Sequence, residues 1–102
     1  MTNAVVSVRN HQPEISLTVQ VWKEGSSHVA YAPELDISSC GRTASQAKSR
    51  LREAVSLFME EASRMGTLSE ILEEAGFERR GRRYHPRPIL TRERMRLTLP
   101  AA

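Results

Sequence analysis

Residues 28–43 read HVAYAPELDISSCGRT, and within them the pattern changes from that of a strand to the start of a helix. The run at residues 28–32 predicts a strand, and Pro33 ends it because proline cannot donate to a strand ladder. A second short strand is predicted at residues 37–40, and Gly41 breaks it. This part of the chain therefore predicts two strands that lead directly into a helix.

The helix is predicted to start at Thr43, because Thr43 and Gln46 have the spacing of a capping box, in which two side chains satisfy free backbone donors. Gly66 is predicted to end it. Apolar positions recur at intervals of three and four and predict one buried stripe: Ala47, Leu51, Ala54, Val55, Phe58, Ala62 and Met65. Such an amphipathic helix must lie on a sheet.

Upstream, residues 15–23 alternate between apolar and polar side chains and predict the clearest strand of the chain. The residues on its apolar face are Ile15, Leu17, Val19 and Val21. The turn-forming residues 24–27 join this strand to residues 28–32, so the two runs are predicted to form an antiparallel hairpin.

Downstream, Thr67 and Glu70 repeat the capping box and open a second, shorter helix that Gly76 closes. Residues 78–83 are polar and are predicted to form a loop or an exposed edge, and the alternation at residues 94–99 predicts a final strand. The predicted fold is α+β: an antiparallel sheet packed by one long and one short helix, in the order βββααβ.

The composition agrees with one small folded domain. The chain has 102 residues, of which 39% are hydrophobic and 26% charged, as in ordinary globular proteins. No apolar run is long enough for a membrane span, and residues 1–10 do not resemble a secretory signal, so we expect a cytoplasmic protein. We divide the chain into a loose N-terminal arm (1–13), an α+β domain (14–77) and an arginine-rich loop with a final strand (78–102).

The charges are distributed unequally along the chain. Residues 1–76 contain seven basic and ten acidic residues, a net charge of −3, whereas residues 77–102 contain eight arginines and two glutamates, a net charge of +6. An acidic body therefore carries a basic C-terminal segment.

No residue pattern predicts catalysis, a cofactor or a metal site. The three histidines are far apart in the sequence and Cys40 is the single cysteine, which does not match the ligand spacing of a zinc site. Glu34 and Asp36 could form a metal or acid–base pair, but carboxylates in such a connecting segment more often cap turns or face solvent. His28 opens a predicted strand, where we interpret it as a polar surface residue.

Several motifs, in order along the chain, resemble the HicB family of antitoxins. They are HVAYAPEL at residues 28–35, SCGRT at residues 39–43, Ala47, and LREAVSLF at residues 51–58. The resemblance implies a partial ribonuclease H-like fold without a catalytic carboxylate set. It also implies a partner, a small basic RNA-cleaving toxin of the HicA type, which the acidic body would bind and neutralise. Glu34 and Asp36 are the candidate toxin contacts.

The chain departs from the family plan at its C-terminal end. After Gly76 only 26 residues remain, too few for a helix-turn-helix or a complete ribbon-helix-helix, although residues 94–100 look like the first strand of the latter. Residues 71–77 also resemble the opening helix of the HicA toxin itself. The Gly-Ser-His segment of that toxin is absent, so a toxin is a minor alternative.

Two other functions remain open at this point. The arginines Arg79, Arg80, Arg82 and Arg83 could contact nucleic acid through its phosphates. Alternatively the protein could be a homo-dimer or a higher oligomer without a toxin, since Met95, Leu97 and Leu99 form one apolar row on the predicted final strand.

Overall fold

A computed structural model describes residues 12–101 and has an α+β architecture. The elements of this part of the chain are β1 (Glu14–Ile15), β2 (Gln20–Glu24), β3 (Ser27–Ala32), β4 (Ile37–Gly41), α1 (Ala44–Met65), α2 (Leu68–Glu74), β5 (Glu78–Arg80) and β6 (Arg83–His85). Residues 1–11, most of the predicted N-terminal arm, lie outside the described residues.

The larger sheet has the order β2-β3-β4, and both pairs of strands are antiparallel. The two-residue turn Gly25-Ser26 joins β2 to β3, which confirms the predicted hairpin. β3 ends at Ala32, directly before Pro33, as predicted. β4 includes Gly41 and is therefore one residue longer than the predicted strand.

The prediction of one strand at residues 15–23 is wrong. Ile15 belongs to β1, which pairs in parallel with β6 in a second sheet of order β1-β6-β5, whereas β2 begins at Gln20. Between the two strands, the backbone N–H and the hydroxyl of Thr18 both donate to the Glu34 carboxylate, at 3.0 and 2.6 Å. The apolar and polar residues thus keep alternating while the chain passes from one sheet to the other. Alternation alone cannot reveal such a change of sheet.

The main core lies between α1 and the larger sheet and is built from small residues. Ala30, Ala32, Ala47 and Leu51 are buried, with Leu17, Ile37 and Val55 packed around them. Gly41 permits this close approach, because a Cβ at that position would lie 2.8 Å from the backbone nitrogen of Ala47. The glycine is therefore required by the helix that rests on it.

The predicted start of α1 is confirmed in detail. Thr43 Oγ1 accepts a hydrogen bond from the backbone N–H of Gln46 at 3.0 Å, and the Gln46 side-chain oxygen accepts one from the N–H of Arg42 at 2.7 Å. The predicted second capping box is wrong. The Thr67 side chain does not cap α2, and its hydroxyl instead reaches back to the Ala62 carbonyl at 3.4 Å.

The predicted buried stripe of α1 holds except at its last residue. Ala47, Leu51 and Ala62 are buried, and Ala54, Val55 and Phe58 are half-buried. Met65 is 65% exposed, because it lies in the last turn, directly before the left-handed Gly66 that ends the helix.

Two predictions for the C-terminal region also need correction. Of the two alternatives for residues 78–83, the exposed edge is confirmed and the loop is wrong: most of these residues form the β5–β6 hairpin, whose first strand is an exposed edge and whose second strand pairs with β1. Residues 94–99 form no strand, because no strand of residues 12–101 pairs with them. The order of elements is therefore ββββααββ within the described chain, with the predicted βββαα at its centre.

The two threonines before the helices give a matched test of this fold. We expect Thr43→Ala to lower the free energy of unfolding by about 1 kcal/mol, the usual effect of losing a helix N-cap. Thr67→Ala should have a smaller effect, because its hydroxyl caps no backbone donor. Urea unfolding followed by circular dichroism measures both, and equal losses would contradict this assignment of the caps.

Candidate binding surfaces

The face of the larger sheet opposite α1 carries aromatic side chains that remain accessible. Trp22 pairs with Val29, and Val29 pairs with Cys40, so these three residues project to the same side of the sheet. Tyr31 is on this side too, with its ring 6.0 Å from that of Trp22 in an edge-to-face arrangement. We call Trp22, Val29, Tyr31 and Cys40 the open sheet face.

Carboxylates at the rim of the open sheet face hold both aromatic residues. The Trp22 indole N–H donates to Glu24 at 3.0 Å, and the Tyr31 hydroxyl donates to Asp36 at 2.8 Å. The hydrogen bond to Asp36 raises the pKa of Tyr31 above its ordinary value, and desolvation and the Asp36 charge raise it further. The negative charge of Asp36 therefore stands at the end of the Tyr31 ring.

Glu34 and Asp36, the two predicted toxin contacts, have different roles inside the chain. Both oxygens of the Glu34 carboxylate accept hydrogen bonds from Thr18, which ties the β3–β4 connection to the segment before β2. Asp36 has a φ of 55°, a conformation that aspartate adopts more readily than most residues, and its side chain is exposed. Asp36 is consequently the more accessible of the two.

The arginines of the β5–β6 hairpin form a second surface, but most of them have neighbours within the chain. Arg79 lies 5.5 Å from the centre of the Tyr84 ring and donates to the Gly81 carbonyl. Arg80 lies 3.7 Å from the Glu78 carboxylate and Arg83 lies 3.5 Å from that of Glu14. All of these side chains are exposed or half-buried, so they remain accessible to an anion.

The C-terminal segment, residues 86–101, is the third surface. It contains neither helix nor strand. Arg87, near its start, lies against the body, with its guanidinium group where a side chain on Gly76 would otherwise be. Farther along, Met95 is 83% exposed and Leu97 75% exposed. We call residues 86–101 the C-terminal arm.

The outer edge of β2 was not recognised as a surface from the sequence. Val21 pairs with Ala30, which is buried beneath α1, so Val21 projects to the helix side. Nevertheless Val19 is 43% and Val21 38% exposed, because the core under α1 lies over β3 and β4. The alternation at residues 15–23 indicated burial, and it could not show that α1 packs mainly on β3 and β4 and covers this strand only in part.

The two helices supply an acidic surface. Residues 57–76 contain a single basic residue, Arg64, which pairs with Glu61. The five glutamates of this segment are all exposed: Glu60, Glu61, Glu70, Glu73 and Glu74. Much of the negative charge of residues 1–76 is therefore located on the two helices.

Residues 12–101 contain no group of three histidine, cysteine or carboxylate side chains placed to hold a metal ion. No helix among them is both long enough and apolar enough to cross a membrane. Cys40 is a free, exposed thiol on the open sheet face.

Comparisons with protein-family models, with curated proteins and with solved structures give no match to this chain.

The contact between Tyr31 and Asp36 can be tested by titration. We expect Asp36→Asn to lower the pKa of Tyr31, because the substitution removes the negative charge that opposes ionisation and weakens the acceptor of the hydroxyl proton. The ultraviolet absorbance of tyrosinate measures the pKa, and Tyr31→Phe identifies which transition belongs to Tyr31. An unchanged pKa in Asp36→Asn would contradict the contact.

Proposed function

We propose that this protein is a HicB-like antitoxin-type protein that binds and neutralises a small basic RNA-cleaving toxin, without catalysing a reaction itself. One observation carries the proposal. The motifs that resemble the HicB family occupy adjacent elements, β3, β4 and α1, which pack together as the main structural unit of the chain.

Each motif has a physical role in that unit. Pro33 follows the last residue of β3, and Glu34 fixes the next connection through Thr18. Gly41 allows the close approach of α1, and Thr43 caps it. The resemblance therefore concerns residues that shape a scaffold, which supports a related fold and is consistent with a function in binding.

The charge distribution supports a basic partner. The acidic surface of α1 and α2 and the carboxylate of Asp36 would attract a cationic protein and orient its approach, since complementary charge increases association rates. Glu34 is the weaker candidate for direct contact, because its carboxylate is engaged by Thr18.

The first experiment isolates the complex and measures neutralisation. The tagged protein is recovered from its own cells at moderate salt, with nuclease treatment, and co-purifying proteins are identified by mass spectrometry. We expect a stoichiometric small basic protein that cleaves RNA when purified alone and stops when this protein is added back. Recovery of the bait alone, or of a partner whose RNA cleavage is unaffected, would overturn the proposal.

Asp36→Asn provides a selective test of the predicted contact. Asparagine also tolerates a positive φ and still offers an acceptor to Tyr31, so the fold should persist while one charge is removed. We expect a slower association with the toxin, by roughly 2- to 5-fold at low salt, as for a charge at the rim of an interface.

Glu53→Gln is the matched control for Asp36→Asn. It removes the same charge from an exposed position of α1 outside the acidic surface, and we expect it not to slow association. Stopped-flow measurement at two salt concentrations compares the variants. Equal rates for Asp36→Asn and the unmodified protein would place the toxin contact elsewhere.

The β5–β6 hairpin favours one alternative function, nucleic-acid binding. Arg79, Arg80, Arg82 and Arg83 are all exposed on this one hairpin, where they could neutralise phosphates. Three of the four already lie near a carboxylate or an aromatic ring within the chain. Such neighbours reduce the attraction to phosphates, and we therefore rank this function second.

Replacing Arg80, Arg82 and Arg83 with glutamine tests the alternative without deleting a strand that pairs with β1. If the hairpin binds single-stranded nucleic acid, the slope of log affinity against log salt should fall by about 0.7 for each phosphate that the variant no longer neutralises. Lys48→Gln with Arg52→Gln, on exposed positions of α1, is the control. Binding that is unchanged by the hairpin substitutions would exclude this assignment.

A further inference from the structure

The outer edge of β2 and the C-terminal arm are complementary to each other. We propose that residues 92–97 of one copy add to the β2 edge of a second copy as an antiparallel strand, in a reciprocal exchange that forms a two-fold dimer. The inference does not depend on the proposed toxin, because it concerns only contacts between copies of this chain.

The edge of β2 has the properties of an incomplete sheet. β2 is the first strand in the order β2-β3-β4, so one side of its backbone has no strand partner in the described chain. Val19 and Val21 remain 43% and 38% exposed on the side that α1 covers elsewhere. An additional strand with apolar residues on this side would extend the core across the uncovered part.

The backbone of β2 is oriented to accept such a strand. Glu24 and Ser27 flank a two-residue turn, and residues in this position exchange both hydrogen bonds of the pair. Bonding alternates along antiparallel strands, so Lys23 and Val21 direct their N–H and C=O groups away from β3. These are the donors and acceptors that a new strand would use.

The arm supplies a strand of the required pattern. When Met95 is placed opposite Val21 in an antiparallel register, Leu97 lies opposite Val19, so apolar residues meet on the helix side. Neither arm residue is a proline, so both can donate an N–H to β2. A shift of one residue would turn the apolar row to the opposite face of the sheet.

The charged residues fit the same register. Glu93 of the arm lies opposite Lys23, and Arg92 lies opposite Glu24, which are two pairs of opposite sign. Arg94 lies opposite Trp22, whose exposed ring can accept a guanidinium group. Cross-strand pairs of these kinds stabilise a sheet. At the one remaining position, Arg96 lies opposite the uncharged Gln20, which neither attracts nor repels it as an ion.

The C-terminal arm does not pair with the β2 edge of its own chain in the structure. Residues 86–101 form no strand, and within the described chain the only strand paired with β2 is β3. Both halves of the proposed contact are therefore open to a second copy, and a reciprocal exchange occupies both at once.

Cysteine cross-linking tests the exchange directly, in a Cys40→Ser background that removes the exposed native thiol. One chain carries Gln20→Cys and a second chain carries Arg96→Cys, and the two are mixed and oxidised gently. The two residues face each other at a position without hydrogen bonds between the strands, where side chains are closest. We expect a disulfide between the two different chains. The control replaces Arg96→Cys with Thr98→Cys, two residues away, and should react at least several-fold more slowly.

A charge exchange supplies a second, independent readout. Lys23→Glu should weaken the dimer, and Glu93→Lys in the same chain should restore it. The two symmetry-related pairs change together, so we expect the dissociation constant to rise by roughly 4- to 25-fold in the single variant. Sedimentation measures the constant, with Lys48→Glu on α1 as the control for charge.

The outcomes separate the alternatives. A dimer of the unmodified protein, with the cross-link between different chains and rescue by the double variant, supports the exchange. A monomer at micromolar concentration, no disulfide between the two different chains, or faster reaction of the Thr98→Cys control would each overturn it. Loss of toxin binding alone would bear on the proposed function and leave this inference unchanged.

Discussion

The close approach of α1 to the larger sheet is the constraint on which the rest of the structure depends. Alanines at the contact, Ala30, Ala32 and Ala47, bring the helix backbone near the strands, and Gly41 has no side chain to obstruct the start of the helix. The N-cap at Thr43 then fixes where the helix starts relative to β4. Because interiors are packed at high density, even one added carbon at Gly41 would have to displace the helix.

A core made of small residues has a consequence for the surface. The helix rests mainly on β3 and β4, so Val21 of β2 and Val19 just before it remain partly exposed. The opposite face of the sheet likewise presents Trp22 and Tyr31 to solvent. A protein with such a narrow core thus keeps one edge and one face of its larger sheet accessible.

Much of the fold could be predicted where local chemistry decides it. The cap at Thr43, the strand end before Pro33 and the helix end at Gly66 all depend on neighbouring residues, and each was predicted correctly. The failures came where distant contacts decide. Residues 15–23 alternate in polarity, but the pairing of β1 with β6 and the hydrogen bonds from Thr18 to Glu34 divide them between two sheets. The same holds for the candidate binding residues. The sequence identified the carboxylates and arginines by type, but it could not reveal which groups of the same chain they contact.

Those internal partners decide which charged groups remain available for recognition. Glu34 is engaged by Thr18, whereas the arginines of the C-terminal arm alternate with apolar residues that remain largely exposed, as Met95 and Leu97 do. Among residues 12–101, no strand pairs with the outer side of β2, which has apolar and charged residues along its length. The β2 edge and the C-terminal arm both have alternating apolar residues and unpaired backbone groups. If they meet, each provides the hydrogen-bond partners and the apolar contacts that the other lacks.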